Sequence, residues 1–217
     1  MKNPTTIVLG TLAALSLVTT ADESLPITAA QQKALTPDAV LQDLMEGNKR
    51  YVEGKVSEPN IVERIKASAS GQYPQAVILS CLDSRVPVEN IFDQGIGDIF
   101  VGRVAGNVEN VDQLGSMEFA TAAAGVKLVM VLGHEACGAV KGACDGVELG
   151  NLTKLLEKIK PAVDAVTGFE KSERTSKNAE FVSQVVEANV KQTVSDIRKR
   201  SEVLAKMESE GKIKIVG

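Results

Sequence analysis

Short apolar runs alternate with helical patterns along most of this chain. The runs are continuous and rich in branched side chains, which is typical of strands that are buried on both faces. The predicted strands are 76–80, 99–101, 127–132 and 213–216. The predicted helices are 36–54, 61–69, 111–124, 152–166 and 179–208. Because buried strands that alternate with helices form parallel sheets, we expect an α/β fold: a mostly parallel four-stranded sheet, flanked by helices on both faces and preceded by an N-terminal helical arm.

The first residues have the pattern of an export signal. Lys2 supplies a positive charge, 7–18 is a short apolar stretch, and small residues at 19–21 precede Asp22. We therefore predict a signal peptide at 1–21 and a periplasmic or secreted protein. The alternatives are an uncleaved anchor and an amphipathic arm.

The rest of the chain reads as a leader and one domain. Residues 22–35 are expected to be a loose leader, and 36–217 to form a single domain. No later apolar run reaches the 18 or so residues of a transmembrane helix, so no membrane span is expected after signal cleavage.

Composition changes this picture little, but it argues against one class of partner. Hydrophobic residues make up 44% and charged residues 24% of the chain, and the formal net charge is -4. The chain has no Trp, only seven Tyr and Phe residues together, and no basic tract. Because nucleic-acid binding usually needs basic patches and aromatic stacking platforms, no nucleic-acid partner is expected.

Cysteine and histidine side chains follow two of the predicted strands. Cys81 comes directly after 76–80, and His134, the only histidine, comes two residues after 127–132. Ligands of open α/β sheets bind outside the carboxyl ends of the strands, so these two side chains are expected at one edge of the sheet. Cys137, three residues after His134, completes a set of two thiolates and one imidazole. Three such ligands suit Zn²⁺ and leave a fourth position open, as in catalytic zinc sites.

A disulfide is the main alternative to the metal site. An exported protein meets an oxidising environment, so Cys81 and Cys137 could instead form a structural disulfide beside a core histidine. The third cysteine, Cys144, is expected to be a small buried side chain.

Two charged residues lie close to Cys81 in the sequence. Asp83 can accept a hydrogen bond from water at a metal and orient it, and Arg85 can pair with Asp83 and keep it ionised. The alternative is a surface ion pair that contributes little to stability.

Together these residues resemble the β-class carbonic anhydrases. That family carries Cys-x-Asp-x-Arg followed some fifty residues later by His-x-x-Cys-Gly, which here are Cys81-x-Asp83-x-Arg85 and His134-x-x-Cys137-Gly138. The likeness extends to the runs 84–87, 97–101, 105–107, 137–139, 150–152 and 158–161.

The resemblance implies a function and a role for each of these residues. Cys81, His134 and Cys137 would hold Zn²⁺, and Asp83 with Arg85 would be the catalytic dyad. Zinc-bound hydroxide would hydrate carbon dioxide reversibly to bicarbonate. The resemblance also implies substrate-binding roles for Gln72 and Gly138, and self-association as a dimer or tetramer with the active sites at a subunit interface. Gln72 could instead be an ordinary loop residue.

The chain departs from the family pattern at three places. Val104 stands where the family commonly has Asn, and Phe119 where relatives often have Tyr. A final antiparallel edge strand is expected to be missing. Two other functions therefore stay open: hydrolysis of carbon disulfide or carbonyl sulfide on the same fold, and a non-catalytic binding protein stabilised by zinc or a disulfide.

Overall fold

The computed structural model describes residues 25–58 and 60–217; the predicted signal peptide lies outside them. Its centre is a four-stranded sheet in the order β2-β1-β3-β4. The strands are β1 (Ala76–Ser80), β2 (Ile99–Arg103), β3 (Leu128–Leu132) and β4 (Lys214–Val216). All neighbouring strands pair in parallel, and Ser80 at the end of β1 lies opposite both Arg103 and Leu132. The predicted α/β fold is confirmed, and the sheet is parallel throughout.

Helices connect and cover the strands. In the described part of the chain, the α-helices are α1 (Ala29–Ala34), α2 (Pro37–Val52), α3 (Ile61–Ser68), α4 (Val88–Ile91), α5 (Val111–Glu118), α6 (Gly138–Cys144), α7 (Gly150–Leu156), α8 (Lys160–Ala165), α9 (Ala179–Arg200) and α10 (Glu202–Ser209). Side chains that accept a backbone N–H cap several of them, including Thr36 at α2, Asn110 at α5 and Asn178 at α9. No helix among these residues is both long enough and apolar enough to cross a membrane.

Two of the predicted helices are divided in the structure. The pattern at 179–208 is broken at Ser201, whose extended backbone ends α9 and whose side chain accepts the Leu204 N–H to start α10. The pattern at 152–166 becomes α7 and α8, with Pro161 in the first turn of α8. A proline ring cannot continue a preceding helix but fits a first turn, which accounts for the break.

Local structure also differs from expectation at two other places. The leader predicted at 22–35 contains α1, whose Thr28 and Gln31 form a reciprocal capping box. The helix predicted at 111–124 ends as α5 at Glu118 and continues as one wider π-helical turn, Phe119–Ala123.

Apolar side chains fill both faces of the sheet. On one face, Val40 and Leu44 of α2 pack against Ile78 and Met130. On the other face, helices α5, α9 and α10 pack against Leu79 and the odd-numbered side chains of β3 and β4. A third cluster surrounds Cys81 and Cys137 and includes residues of α6 to α9. The loops at the carboxyl edge of the sheet are therefore held in place by a packed apolar cluster.

Candidate metal centre

The three predicted metal ligands meet at the carboxyl edge of the sheet. Cys81 directly follows β1, His134 follows β3 after one glycine, and Cys137 directly precedes α6. The ligand atoms of all three side chains lie within 4.8 Å of one another. The expectation that two distant segments deliver their ligands to one edge is met, because β1 and β3 are adjacent parallel strands.

His134 presents one particular nitrogen to this cluster. Its Nδ1 lies 3.0 Å from the Glu135 carbonyl oxygen, which can only accept, so Nδ1 carries the proton. Its buried Nε2 has no hydrogen-bond partner among the described residues. Ala136 has a left-handed backbone, with φ 54°, and this turns the chain towards Cys137. A bare ring nitrogen facing two sulfur atoms is the arrangement that a metal ion completes.

The two cysteines are free thiols. Their sulfur atoms are 3.9 Å apart, whereas a disulfide bond is about 2.05 Å long. Two sulfurs that each lie about 2.3 Å from one tetrahedral zinc would be about 3.8 Å apart. The spacing and the donor set therefore fit zinc.

The pKa values of the two thiols are shifted in opposite directions. The hydrogen bond from Cys137 lowers the pKa of Cys81, and the Gly106 N–H, 3.3 Å from the Cys81 sulfur, adds to this effect. The same bond raises the pKa of Cys137, since the pair shares its last proton when no cation is present. A cation between the two sulfurs would replace that proton.

Asp83 and Arg85 form a bidentate pair beside the cluster. Arg85 donates from Nε to Oδ1 at 2.9 Å and from Nη2 to Oδ2 at 2.8 Å, and its backbone N–H also donates to Oδ1. These bonds hold the pKa of Asp83 well below its usual range. Oδ2 lies 4.0 Å from Nε2 of His134. An ionised carboxylate therefore lies beside the three candidate ligands.

Arg103 is a residue of this site that the sequence analysis missed. From the end of β2, its guanidinium donates to the backbone carbonyls of Cys81, at 2.9 Å, and of Asp83. It thus holds the loop that carries both side chains. The available signal was a charged residue at the carboxyl end of a strand, but its partners depend on the register that places Arg103 opposite Ser80.

The remaining predicted site residues have different positions. Gly138 is the first residue of α6, and a Cβ added there would meet no atom within 4 Å, so space is open next to Cys137. Gln72 is exposed in the loop before β1. The length of β1, about 16 Å for five residues, separates Gln72 from the cluster, so the structure does not bring them together within one chain.

Three other positions that the sequence analysis singled out lie outside the ligand cluster. Phe119 is 59% exposed and faces Phe100 of β2, with 6.4 Å between ring centroids. Val104 is partly buried and packs in the apolar core. Cys144 is partly rather than fully buried, and the loss of solvent around it raises the pKa of its thiol to about 11.

Sequence comparison agrees with this geometry. Residues 76–217, more than half of the chain, match the carbonic anhydrase family. Carbonic anhydrase 2 of Mycobacterium tuberculosis is 38% identical over 187 residues, which cover 83% of this chain and 86% of that protein. The chain belongs to the β-class carbonic anhydrases. A carbonic anhydrase of Mycolicibacterium smegmatis is 36% identical and covers 83% of this chain and 87% of its own.

Solved structures of β-carbonic anhydrases share the fold. The β-carbonic anhydrase CafA of Aspergillus fumigatus superposes with a TM-score of 0.59 at 26% identity, over 82% of each chain. The Cys-His-Cys cluster is thus a candidate metal centre within a carbonic anhydrase, an enzyme family of metal-dependent lyases.

Proposed function

We propose that this carbonic anhydrase hydrates carbon dioxide reversibly to bicarbonate at a zinc ion held by Cys81, His134 and Cys137. The observation that carries the proposal is the buried Nε2 of His134, bare of hydrogen bonds within the described residues and facing two sulfurs at a separation that fits tetrahedral zinc. When bound, zinc would supply the Lewis acidity that makes a water molecule nucleophilic near neutral pH.

Asp83 is proposed to position the attacking water. Its carboxylate stays ionised next to Arg85, so it accepts hydrogen bonds and does not donate them. Oδ2 is the oxygen that faces His134, and a water there can donate one hydrogen to it and direct a lone pair at carbon dioxide. Positioning of this kind makes the attack effectively unimolecular.

Arg85 is proposed to keep Asp83 in that role. The planar guanidinium binds both carboxylate oxygens, which restricts rotation of the carboxylate and opposes its move onto the metal. Arg103 supports the same loop through its backbone carbonyls. The two arginines thus both hold Asp83: the Arg85 guanidinium binds its carboxylate, and the Arg103 guanidinium binds its backbone carbonyl.

Zinc content measured together with stopped-flow carbon dioxide hydration tests this proposal. The native protein is expected to hold about one zinc per chain and to hydrate carbon dioxide rapidly. Asp83→Ala should keep the zinc and lose most of the activity, by roughly 100-fold. Asp164→Ala is the matched control, since Asp164 is a carboxylate in an exposed ion pair with Lys160.

Other results would redirect the assignment. Zinc without hydration in the native protein would favour the hydrolase of carbon disulfide or carbonyl sulfide, or a zinc-stabilised binding protein. Absence of zinc, with Cys81 and Cys137 oxidised, would contradict the metal site. Equal activity of Asp83→Ala and the native protein would remove Asp83 from the mechanism.

Self-association as a dimer or tetramer is part of the proposal. β2 is an edge strand of the described sheet, and beside it lies a cavity of about 720 Å³, lined partly by the exposed Phe119. Unpaired strand edges and apolar patches favour association. A second copy is also the one way in which Gln72 could reach a metal centre. Light scattering of the native protein and of Phe119→Lys measures this, and a monomeric native protein would contradict it.

Export is proposed from the sequence pattern at 1–21. Expression of the full chain followed by fractionation and N-terminal sequencing is expected to yield periplasmic or secreted protein that begins near Asp22. Protein in the cytoplasm with an intact Lys2 would contradict it.

A further inference from the structure

The Cys81 sulfur accepts a hydrogen bond from a residue that is itself held by a helix distant in the sequence. The donor is the Gly106 N–H, 3.3 Å from Sγ, in a short 3₁₀ turn after β2. A hydrogen bond to a thiolate withdraws electron density from the sulfur, and such bonds tune the metals that thiolates hold.

Asn189 of α9 fixes the position of Gly106. Its side-chain Nδ2 donates to the Gly106 carbonyl oxygen at 2.8 Å, and Asn189 is only 1% exposed. Asn189 is 83 residues from Gly106 along the chain, and within the described residues its side chain donates to Gly106 and not to a ligand side chain.

The backbone conformation at position 106 requires glycine. Gly106 has a left-handed backbone, with φ 70°, and a Cβ there would lie 2.6 Å from Cδ1 of Ile159. Only glycine adopts this conformation without strain. Glycine is also the most flexible residue, so the direction of its N–H depends on what holds it.

The two sulfurs differ in how their hydrogen bonds are supplied. Backbone N–H groups of Ala139 and Val140, in the first turn of α6, stabilise the thiolate of Cys137. Those donors lie two and three residues after Cys137, just as the Asp83 N–H, which lowers the pKa of Cys81, lies two residues after that ligand. Cys81 has in addition a backbone donor from outside its own loop, the Gly106 N–H, whose position depends on packing against α9.

Electrostatics gives this difference a consequence for the reaction. Two thiolates donate more charge to a zinc ion than imidazoles do, which opposes the Lewis acidity that the proposed function needs. We propose that Asn189 is a positioning residue: through Gly106 it directs an N–H at the Cys81 sulfur and thereby limits the charge this thiolate donates to the metal. The inference rests on the proposed ligand set.

Cobalt substitution tests the inference with a readout other than activity. The absorption band for charge transfer from sulfur to Co²⁺ reports the electron density on the thiolates. Asn189→Leu and Asn189→Ala both remove the donor but leave side chains of different size. Both are expected to shift the band to lower energy, because the Cys81 sulfur regains electron density when it loses the hydrogen bond.

Thr193→Val is the matched control. Thr193 lies one turn further along α9 and is 3% exposed, so this variant also removes a buried polar group from the helix. Its charge-transfer band is expected to coincide with that of the native protein. Circular dichroism of each cobalt-loaded variant establishes that the spectrum is read on folded protein.

Three results would overturn the inference. Bands of both Asn189 variants that coincide with the native band would show that the bond does not tune the thiolate. A shift in Asn189→Ala but not in Asn189→Leu would assign the effect to the cavity. In either case the proposed ligand set would stand, because the native protein would still show sulfur-to-cobalt bands. If the native protein itself showed none, the ligand set would be wrong and the inference would fall with it.

Discussion

The two edges of the sheet contain polar side chains that are arranged in opposite ways. At the amino edge, Gln75 donates to Asp43 at 2.7 Å and to Gln94 at 2.9 Å, and Gln94 donates back to Asp43 at 3.2 Å. At the carboxyl edge, Nε2 of His134 is buried without a hydrogen bond in the described structure, and the sulfurs of two free cysteines lie 3.9 Å apart.

This difference separates a structural polar cluster from a binding site. Buried polar groups usually have hydrogen-bond partners, and a bare one has a cost that something else must offset. At the amino edge, hydrogen bonds between side chains of the same chain offset that cost. The carboxyl edge has kept three donor atoms directed at one point, where a cation can join them.

Removal of His134 should produce the largest effect at the carboxyl edge. His134→Ala deletes the only imidazole, so zinc affinity should fall by more than the 10- to 100-fold that outer partners contribute, that is, by more than about 100-fold. Carbon dioxide hydration should fall with it. Equilibrium dialysis against a chelator measures the affinity. Unchanged zinc binding would show that the bare Nε2 is not a ligand.

The corresponding change at the amino edge should alter stability and not metal binding. Gln75→Leu removes the donor shared by Asp43 and Gln94, so we expect the free energy of unfolding to fall by about 1–3 kcal/mol. Urea unfolding of the metal-free protein measures this, and Gln42→Leu, which removes an exposed hydrogen bond to Glu46 on α2, is the control. A loss of zinc affinity as large as that of His134→Ala would contradict the division between the edges.

A smaller effect should appear in the pH dependence of stability. Arg85 lowers the pKa of Asp83, so the pair stabilises the folded state above the pKa of the unfolded chain, about 3.9. That contribution is lost as the pH falls towards the folded-state pKa. The difference in melting temperature between the metal-free native protein and Arg85→Ala should therefore be present at pH 6 and shrink below about pH 4.

A double-mutant cycle checks the cause of that dependence. In the Asp83→Asn background, Arg85→Ala should give a difference in melting temperature that does not change over the same pH range. A difference that still shrinks with acid would mean that Arg85 acts through another group.

The smallest expected effect concerns Cys144, a thiol close to the centre in sequence but outside the cluster. Desolvation raises its pKa to about 11, so it should remain protonated at pH 8 and react slowly with iodoacetamide. Removal of the metal should speed alkylation of Cys81 and leave the rate at Cys144 nearly unchanged, as followed by peptide mass spectrometry. Equal acceleration of both thiols would point to general loosening of this edge.

What the sequence predicted and what it missed follow from the range of the interactions involved. Cys81 and His134 could be placed together because each follows a recognisable buried strand and parallel strands end at one edge. The roles of Arg103 and Asn189 could not be predicted. They depend on strand register and on the packing of α9 against a turn that lies more than 80 residues earlier in the sequence. The break at Ser201 was missed because it lacks glycine or proline and depends on a side-chain cap.

The position of Gln72 shows a different limit. The family resemblance implied a substrate-binding role for Gln72, but the nine residues from Gln72 to Cys81 include β1, which runs from the amino to the carboxyl edge of the sheet. Short separation in the sequence predicts contact only when the backbone between the residues is not extended.

The single imidazole of this chain has a practical consequence for spectroscopy. With one histidine in 217 residues, a nitrogen-15 spectrum of the ring region contains one pair of signals and requires no assignment by mutation. Nδ1 donates its proton to the Glu135 carbonyl, while Nε2 has no hydrogen bond within the described residues. Metal loading should therefore move the Nε2 resonance and leave the Nδ1 resonance in the range of a protonated ring nitrogen. The occupancy of the centre can thus be followed in solution, on the purified protein, from two peaks.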